Sequence, residues 1–386
     1  MVDCDFCGSH QVGDVYVPAG TIRAATVTLC DECGLLQTRY GQHERDRTPR
    51  MSGDADWGNV RWCKSFRMDA VKGALETFLP IKQEFSVLDI GSNRGDFLEW
   101  VLSAYPNAKV FGIEPDERLA ASYSEQLRSA VTFKRFEDCA FADSSIDFVY
   151  CVQTLEHARS ASEMLKGIWR VLKDGGLAFI EVPNTNVLKY SHTVEEFFID
   201  KHSFHFTERT LRPFVESIGF EVVKSNEDND RHNVSFYLRK SVNSSNLVYR
   251  GQIGASVIGE TRRAVAGYSQ NLVLNRQLLP KVVEKIDTLN DRMKVAFWGA
   301  TTIFDVLVRY GGLDPSSVKL LVDTYLHRFA SDNHGVLIQE PDAIKAYDPQ
   351  VCIVLARFSA DAIADIARGY GVRNVLTFEQ LICSVK

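Results

Sequence analysis

Residues 87–100 read VLDIGSNRGDFLEW, and this stretch decides the fold. Phe85-Ser-Val-Leu-Asp-Ile is short, apolar and β-branched up to Gly91, the composition of a parallel strand buried on both faces. From Asp96 the apolar residues return at helical spacing, and the helix ends before Pro106. Gly91 and Gly95 bracket Ser92, Asn93 and Arg94, so the chain can turn tightly and a ligand can lie against bare backbone at the helix N-terminus. Asp89 falls at the carboxyl end of the strand, where open α/β sheets bind their ligands.

Working outward, Lys109-Val-Phe-Gly-Ile is a second strand, and it ends in Glu114-Pro115. Glu114 follows Gly91 by about twenty residues, the distance at which such folds place a carboxylate that accepts from ribose hydroxyls. A ribonucleoside-shaped ligand is implied. The glycine spacing is G-x-x-x-G rather than G-x-G-x-x-G, so the dinucleotide fingerprint is absent and a nicotinamide oxidoreductase is disfavoured. S-adenosylmethionine (SAM), with ribose and adenine but no phosphate, fits better. Phe136-Glu-Asp-Cys offers an adenine contact, with Glu137 and Asp138 competing for it. Ser145 to Val152 is a third strand leading into Gln153-Thr-Leu-Glu-His157. Ser160 and Glu163 form a capping box for a helix expected to end at Gly175-Gly176, before a strand from Leu177 to Val182.

These pieces in this order, D-x-G-x-x-x-G from Asp89, I-E-P from Ile113, L-E-H from Leu155, L-K-x-G-G from Leu172 and E-V-P-N from Glu181, resemble class I SAM-dependent methyltransferases over roughly residues 60 to 240. The resemblance implies SAM contacts from Asp89, Gly91, Ser92, Asn93, Gly95, Glu114, Pro115, Glu137, Asp138 and Gln153.

The chain has 386 residues, enough for two or three domains, and its 45% apolar and 24% charged composition is that of a globular protein. A net charge of -6 gives no support for nucleic-acid binding. No apolar run suggests a membrane span, and the first residues lack a basic and an apolar leader region, so a cytoplasmic location is expected. Among 9 cysteines, Cys4-x-x-Cys7 and Cys30-x-x-Cys33 have the spacing of a zinc ribbon or knuckle. Four thiolates would close the shell of a structural Zn²⁺, a staple for a segment too small to bury a core of its own. Cys63, Cys139, Cys151, Cys352 and Cys383 lack such spacing.

Gln42 to Asp56 reads as a polar linker, followed by Trp57, Trp62 and a helix from Ser65 to Phe78. After Pro183-Asn184 a long irregular stretch, Thr185 to His205, carries Glu195, Glu196, Asp200, His202 and His205, and a loop of that length inside a domain is usually functional. Thr207 caps a helix from Glu208 to Ile218, and two antiparallel strands, from Phe220 and from Val234, then close the sheet edge. Residues 241–293 form a helical connector with Pro280 as a break. A second Rossmann-like half follows, built on Gly299 and Asp323, with an amphipathic helix from Ser359 to Tyr370 burying Ile363, Ile366, Ala367 and Tyr370. Lacking a glycine-rich fingerprint, this half is expected to wall a substrate cleft rather than to bind a dinucleotide.

The expected fold class is therefore α/β. A zinc module with its linker (1–56) precedes a Rossmann-like methyltransferase sheet (57–240), the connector (241–293) and a C-terminal Rossmann-like domain (294–386). This order, with Val295-Ala-Phe-Trp-Gly-Ala opening the last unit, resembles the sugar-nucleotide C-methyltransferases of deoxysugar pathways over nearly the whole chain. The resemblance implies a nucleotide-linked keto sugar as substrate, no nucleic acid or membrane partner, and a base that removes the proton beside the carbonyl. The family pattern of Tyr, one residue, Glu and His falls on Ile199-Asp200-Lys201-His202, where only the histidine matches, and its second histidine falls on His157. His202 inherits the base role. His205 is an alternative base, O-methylation an alternative reaction, and a non-catalytic binding subunit an alternative function.

Overall fold

The computed structural model describes residues 3–19, 24–41, 71, 73, 75, 77, 84–198, 202–225, 232–241, 253–328, 330–356 and 359–386. The expected linker from Gln42, Trp57, Trp62, most of the helix from Ser65, and Ile199, Asp200 and Lys201 lie outside the described residues. The chain divides into two compact units, one of residues 1–49, 63–187 and 198–265, the other of 50–62, 188–197 and 266–386.

The first unit contains two sheets. Strands β1 (Val12–Tyr16), β2 (Thr26–Cys30) and β3 (Leu36–Arg39) pair antiparallel, and a short strand β9 (Phe204–His205) adds to β3 at Leu36 and Gln37. The larger sheet has 7 strands in the order β10-β11-β8-β7-β4-β5-β6. They are β4 (Ser86–Ile90), β5 (Lys109–Ile113), β6 (Val131–Thr132), β7 (Ile146–Val152), β8 (Leu172–Pro183), β10 (Phe220–Ser225) and β11 (Asn233–Lys240). Strand β4 is buried at every position, as its unbroken apolar composition requires, and lies parallel to β5 on one side and β7 on the other. The chain leaves β4 first toward β5 and β6 and later toward β7 and β8, so the order reverses between β4 and β7. The crevice outside the carboxyl ends of those two strands is the ligand position in open α/β sheets.

Helix α1 (Asp96–Ala104) follows Gly95, and α2 (Ala161–Val171) starts where Ser160 accepts from the Glu163 N–H. Helix α2 ends at Val171 rather than at Gly175-Gly176. Strand β8 begins at once with Leu172, and the positive φ of Gly175 lies inside it, where the pairing with β7 shifts register. Helix α3 (Glu208–Ile218) has the expected Thr207 cap and ends at Gly219, and the closing pair β10 and β11 is antiparallel. The N-terminal segment is part of this core rather than an appendage. Phe6 stacks on Phe214 at 3.8 Å, and the Asp5 carboxylate accepts from the Ser162 N–H at the start of α2.

In the second unit, β12 (Val295–Trp298), β13 (Leu321–Val322), β15 (Val336–Gln339), β16 (Val351–Val354) and β17 (Asn374–Thr377) run parallel in the order β15-β13-β12-β16-β17, with β14 (Asp332–Asn333) antiparallel at the edge. Helix α4 (Ala255–Asn290) runs unbroken through Pro280, contrary to the expected break. Leu279, Val282, Val283 and Ile286 are buried in the unit's core on either side of the proline, and that packing outweighs the missing N–H. Helix α5 (Ala360–Gly369) buries Ala364 and Ala367, whereas Ile366 faces solvent. Asp323 does end a strand, but its carboxylate accepts from the N–H groups of Ala300, Tyr325 and Leu326. It braces the turn after Gly299, a role that leaves it a poor ribose acceptor.

Candidate active site

The loop after β4 is set by backbone geometry. Gly91 has φ +78° and Gly95 φ +83°, both in the left-handed region. A Cβ on Gly91 would lie 2.2 Å from Thr154 Oγ1, so the β4 and β7 loops approach as closely as glycine allows. Asn93, with φ +50°, presents its N–H to Glu114 Oε2 at 2.8 Å, and the Asp116 N–H donates to Glu114 Oε1 at 3.0 Å. Ser92 Oγ lies 2.9 Å from the Tyr123 hydroxyl, which itself donates to the Asn93 carbonyl. Tyr123 thus braces the turn that the sequence reading built from glycines alone, and nothing in its spacing announces it. Burial, reinforced by Glu114, Asp89 and Asp96, pushes its hydroxyl well above the ordinary tyrosine range, keeping it a donor.

Two carboxylates end neighbouring parallel strands here: Asp89, 1% exposed, on β4, and Glu114, also buried, just past β5. Backbone N–H groups reach both Glu114 oxygens, which fixes the carboxylate at the end of β5. Pro115 is exposed beside it. The Glu137 carboxylate accepts from the Arg159 N–H at 3.0 Å, while Asp138 Oδ1 pairs with Arg159 Nη1 at 2.7 Å on the surface. Gln153, with φ +51°, donates from Nε2 to Asn233 Oδ1 at 3.0 Å. The Gly91 loop, Asp89 and Glu114 meet at the carboxyl ends of β4 and β5, whereas the Gln153 side chain pairs with β11.

At the end of β7 the chain turns through Leu155–His157. Glu156 is 1% exposed, and its Oε1 lies 3.7 Å from His157 Nε2. The rings of His157 and His202 are 4.8 Å apart, and the donor atoms of Glu156, His157 and His202 all lie within 4.8 Å of one another. The His202 segment is tied at Ser203, whose N–H donates to the Glu156 carbonyl at 2.7 Å and whose carbonyl accepts from the Thr38 N–H at 2.8 Å. Glu156 lies within the L-E-H stretch, where nothing in the spacing announces its burial.

His205 is placed differently. Read in sequence as part of an irregular loop, it is a strand residue in β9, 3% exposed, with Nε2 2.7 Å from Thr38 Oγ1. Burial lowers its pKa from 6.5 to about 3. A depressed folded-state value means that the stability contribution is intact above the unfolded value and is lost as pH falls toward the folded one. Stability in thermal unfolding is therefore expected to fall as pH drops from 6.5 toward about 3, by about 1.4 kcal/mol per pH unit at this residue. Replacing His205 with glutamine should flatten that part of the profile; an unchanged slope would contradict the placement. Glu195 and Glu196 belong to the second unit, where Tyr268 donates to Glu196 Oε1 at 2.7 Å and Asn275 Nδ2 donates to the Ser191 and Thr193 carbonyls.

The four N-terminal cysteines converge. Cys4 and Cys33 sulfurs are 3.3 Å apart, Cys7 and Cys30 3.6 Å, and all four lie within 4.8 Å. These separations exceed a disulfide bond of about 2.05 Å and approach the tetrahedral edge of about 3.8 Å that Zn–S bonds near 2.3 Å impose. Hydrogen bonding among the four sulfurs pushes the Cys4 and Cys33 thiols up and draws Cys7 and Cys30 down. The cluster is compatible with a structural zinc ion.

Residues 64–225 match a family model described as "Methyltransferase domain". Over 72% of its length the chain is 24% identical to C-methyltransferase NovU of Streptomyces niveus, covering 68% of that protein. Over 27% of its length it is 32% identical to the ubiquinone biosynthesis O-methyltransferase of Pseudomonas fluorescens strain SBW25, covering 47% of it. A crystal structure of an S-adenosylmethionine-dependent methyltransferase from Mesorhizobium loti aligns with TM-score 0.35 and 16% identity, covering 45% of this chain and 99% of that one. No helix among the described residues is long and apolar enough to cross a membrane.

Proposed function

We propose that this chain, a SAM-dependent methyltransferase, methylates a nucleotide-linked sugar in the cytoplasm, with His202 as the base and a structural zinc ion on Cys4, Cys7, Cys30 and Cys33. The observation that carries the reading is the gathering of His202, His157 and Glu156 at the end of β7, beside the Gly91 loop. SAM, when bound, supplies an electrophilic methyl group, so the chain has only to position an acceptor and take one proton. In this reading Asp89, Glu114, Gln153 and either Glu137 or Asp138 hold the adenosyl and amino-acid portions, and Gly91, Ser92, Asn93, Gly95 and Pro115 shape the cradle. His202 takes the proton from the acceptor, His157 orients beside it, and the buried Glu156 carboxylate stabilises the positive charge that develops on the imidazoles. His205, held by Thr38, keeps the His202 segment in place rather than reacting.

The sugar acceptor is supported by the three-part resemblance in sequence. Attack from carbon, beside a carbonyl, is favoured over attack from oxygen by the match to a C-methyltransferase along 72% of the chain. The test is incubation with SAM and a panel of nucleotide-linked 4-keto and 4-hydroxy sugars in deuterated water, read by mass spectrometry. Deuterium uptake beside the carbonyl together with a methyl gain means C-methylation. A methyl gain on sugars without a keto group means O-methylation, and SAM binding without turnover on any sugar overturns the acceptor class.

Two further outcomes are expected. Glu114→Gln places an amide NH₂ against backbone donors and should weaken SAM binding about 10–100-fold, the worth of a charge-assisted hydrogen bond, by calorimetry; unchanged affinity would remove Glu114 from the ligand. Gly91→Ala combines a left-handed φ with a 2.2 Å approach to Thr154 and should cost about 2 kcal/mol or more in chemical denaturation. Thr154→Ala should restore part of that loss, whereas the absence of any rescue would mean that the two loops do not touch.

A further inference from the structure

We infer that Glu156, His157 and His202 form a second metal site, one that takes a divalent transition ion such as Zn²⁺ or Co²⁺ and silences the enzyme while it is held. Two imidazoles and one carboxylate are a donor set that such ions accept, with a fourth position left to solvent. The three donor atoms already lie within 4.8 Å of one another, and Glu156 Oε1 is 3.7 Å from His157 Nε2. Tetrahedral bonds of about 2.0–2.1 Å require edges of about 3.3 Å. Small rotations of the His157 and His202 rings, both only partly buried, close that gap, while Glu156 is fixed in the protein interior. Glu156 supplies the anionic donor of the three and the two imidazoles the neutral ones. Partial exposure of both rings gives the ion a way in from solvent.

The chemistry differs from that of the cysteine cluster. Four thiolates hold a zinc ion tightly and leave no open position, whereas two nitrogens and one oxygen hold it reversibly. Ligation uses the imidazole lone pair that a base needs, so an occupied site cannot accept the substrate proton. This consequence rests on the reading of His202 as the base; binding itself does not.

The experiment uses the full chain with its cysteine site loaded with Zn²⁺ and titrates Co²⁺. One added equivalent is expected, with weak visible bands of nitrogen and oxygen ligation and no intense near-ultraviolet sulfur band. His202→Ala, a change at a partly exposed side chain, should weaken that equivalent by more than about 100-fold, since loss of a direct ligand costs more than loss of its supporting hydrogen bond. His157→Ala should do the same. Methyl transfer should fall at least tenfold as the equivalent binds and return when a weak chelator removes it. An absence of added binding, or equal binding in both alanine variants, overturns the site. Loss of turnover in His202→Ala without Co²⁺ binding in the parent overturns the metal site and leaves the base standing. Co²⁺ binding that His202→Ala abolishes, in a variant that still turns over normally, supports the site and overturns the base.

Discussion

His202→Ala is expected to lower kcat by about 10²–10⁴-fold, the range in which a positioned general base contributes, while SAM affinity stays within about twofold. The split follows from where the groups sit. The proposed SAM contacts lie on the Gly91 loop, past β5, at Gln153 and at Glu137 or Asp138, and His202 belongs to a different segment, fastened to Glu156 through Ser203 and to β3 through Thr38. Single-turnover rates with labelled SAM would give the chemical step, and calorimetry the affinity. A base also shapes the acid limb of the pH–rate profile, so that limb should disappear in the variant. His157→Ala should show a smaller loss, because it acts on the proton acceptor and not on the proton. If both alanine variants turned over as fast as the parent, His202 and His157 would have no part in the chemistry.

How much of this was legible depends on how local the physics is. The strand carrying Asp89, the turn at Gly91 and Gly95 and the strand that ends before Glu114 were readable because each is encoded within a few adjacent residues. The helix Glu208–Ile218 was readable to the residue because its start and stop are single side chains, Thr207 and Gly219. Strand β9 was not. Two residues carry no periodicity, and what makes Phe204–His205 a strand is pairing with Leu36 and Gln37, far away in sequence. That pairing also changes the reading of His205 from a loop group to a buried strut. Likewise Pro280 and Gly175 carry strong local signals for breaks, and in both places packing or sheet pairing overrides them. Tyr123 and Glu156 depend on partners that only the folded chain brings near.

Removing metal from the cysteine cluster is expected to have the largest effect on stability. Structural zinc supplies about 10–16 kcal/mol of apparent binding energy in small modules. Here the ion would staple strands that are part of a larger core: Cys4, Cys30 and Cys33 are buried with Phe6, Leu35, Phe206 and Phe214 in one cluster. Even a loss of about 5 kcal/mol should lower the melting temperature of the first unit by about 10–20 °C, at the 2–4 °C per kcal/mol typical of its size. The kinetic consequence should be selective. From β3 the Thr38 N–H holds the Ser203 carbonyl, so a single hydrogen bond joins the module to the residue next to the proposed base. Stripped protein at a temperature where it stays folded should therefore lose turnover by at least tenfold while binding SAM nearly as well, since the Gly91 loop is held by Ile113, Tyr123 and Glu114. Cys30→Ser should act in the same direction, since it removes one of the four clustered sulfurs. Metal analysis, thermal unfolding, SAM calorimetry and single-turnover rates on one preparation decide the matter. A stripped chain with unchanged melting and turnover would mean that the four cysteines carry no structural ion, and equal losses of SAM binding and turnover would mean that the module supports the whole unit rather than the His202 segment.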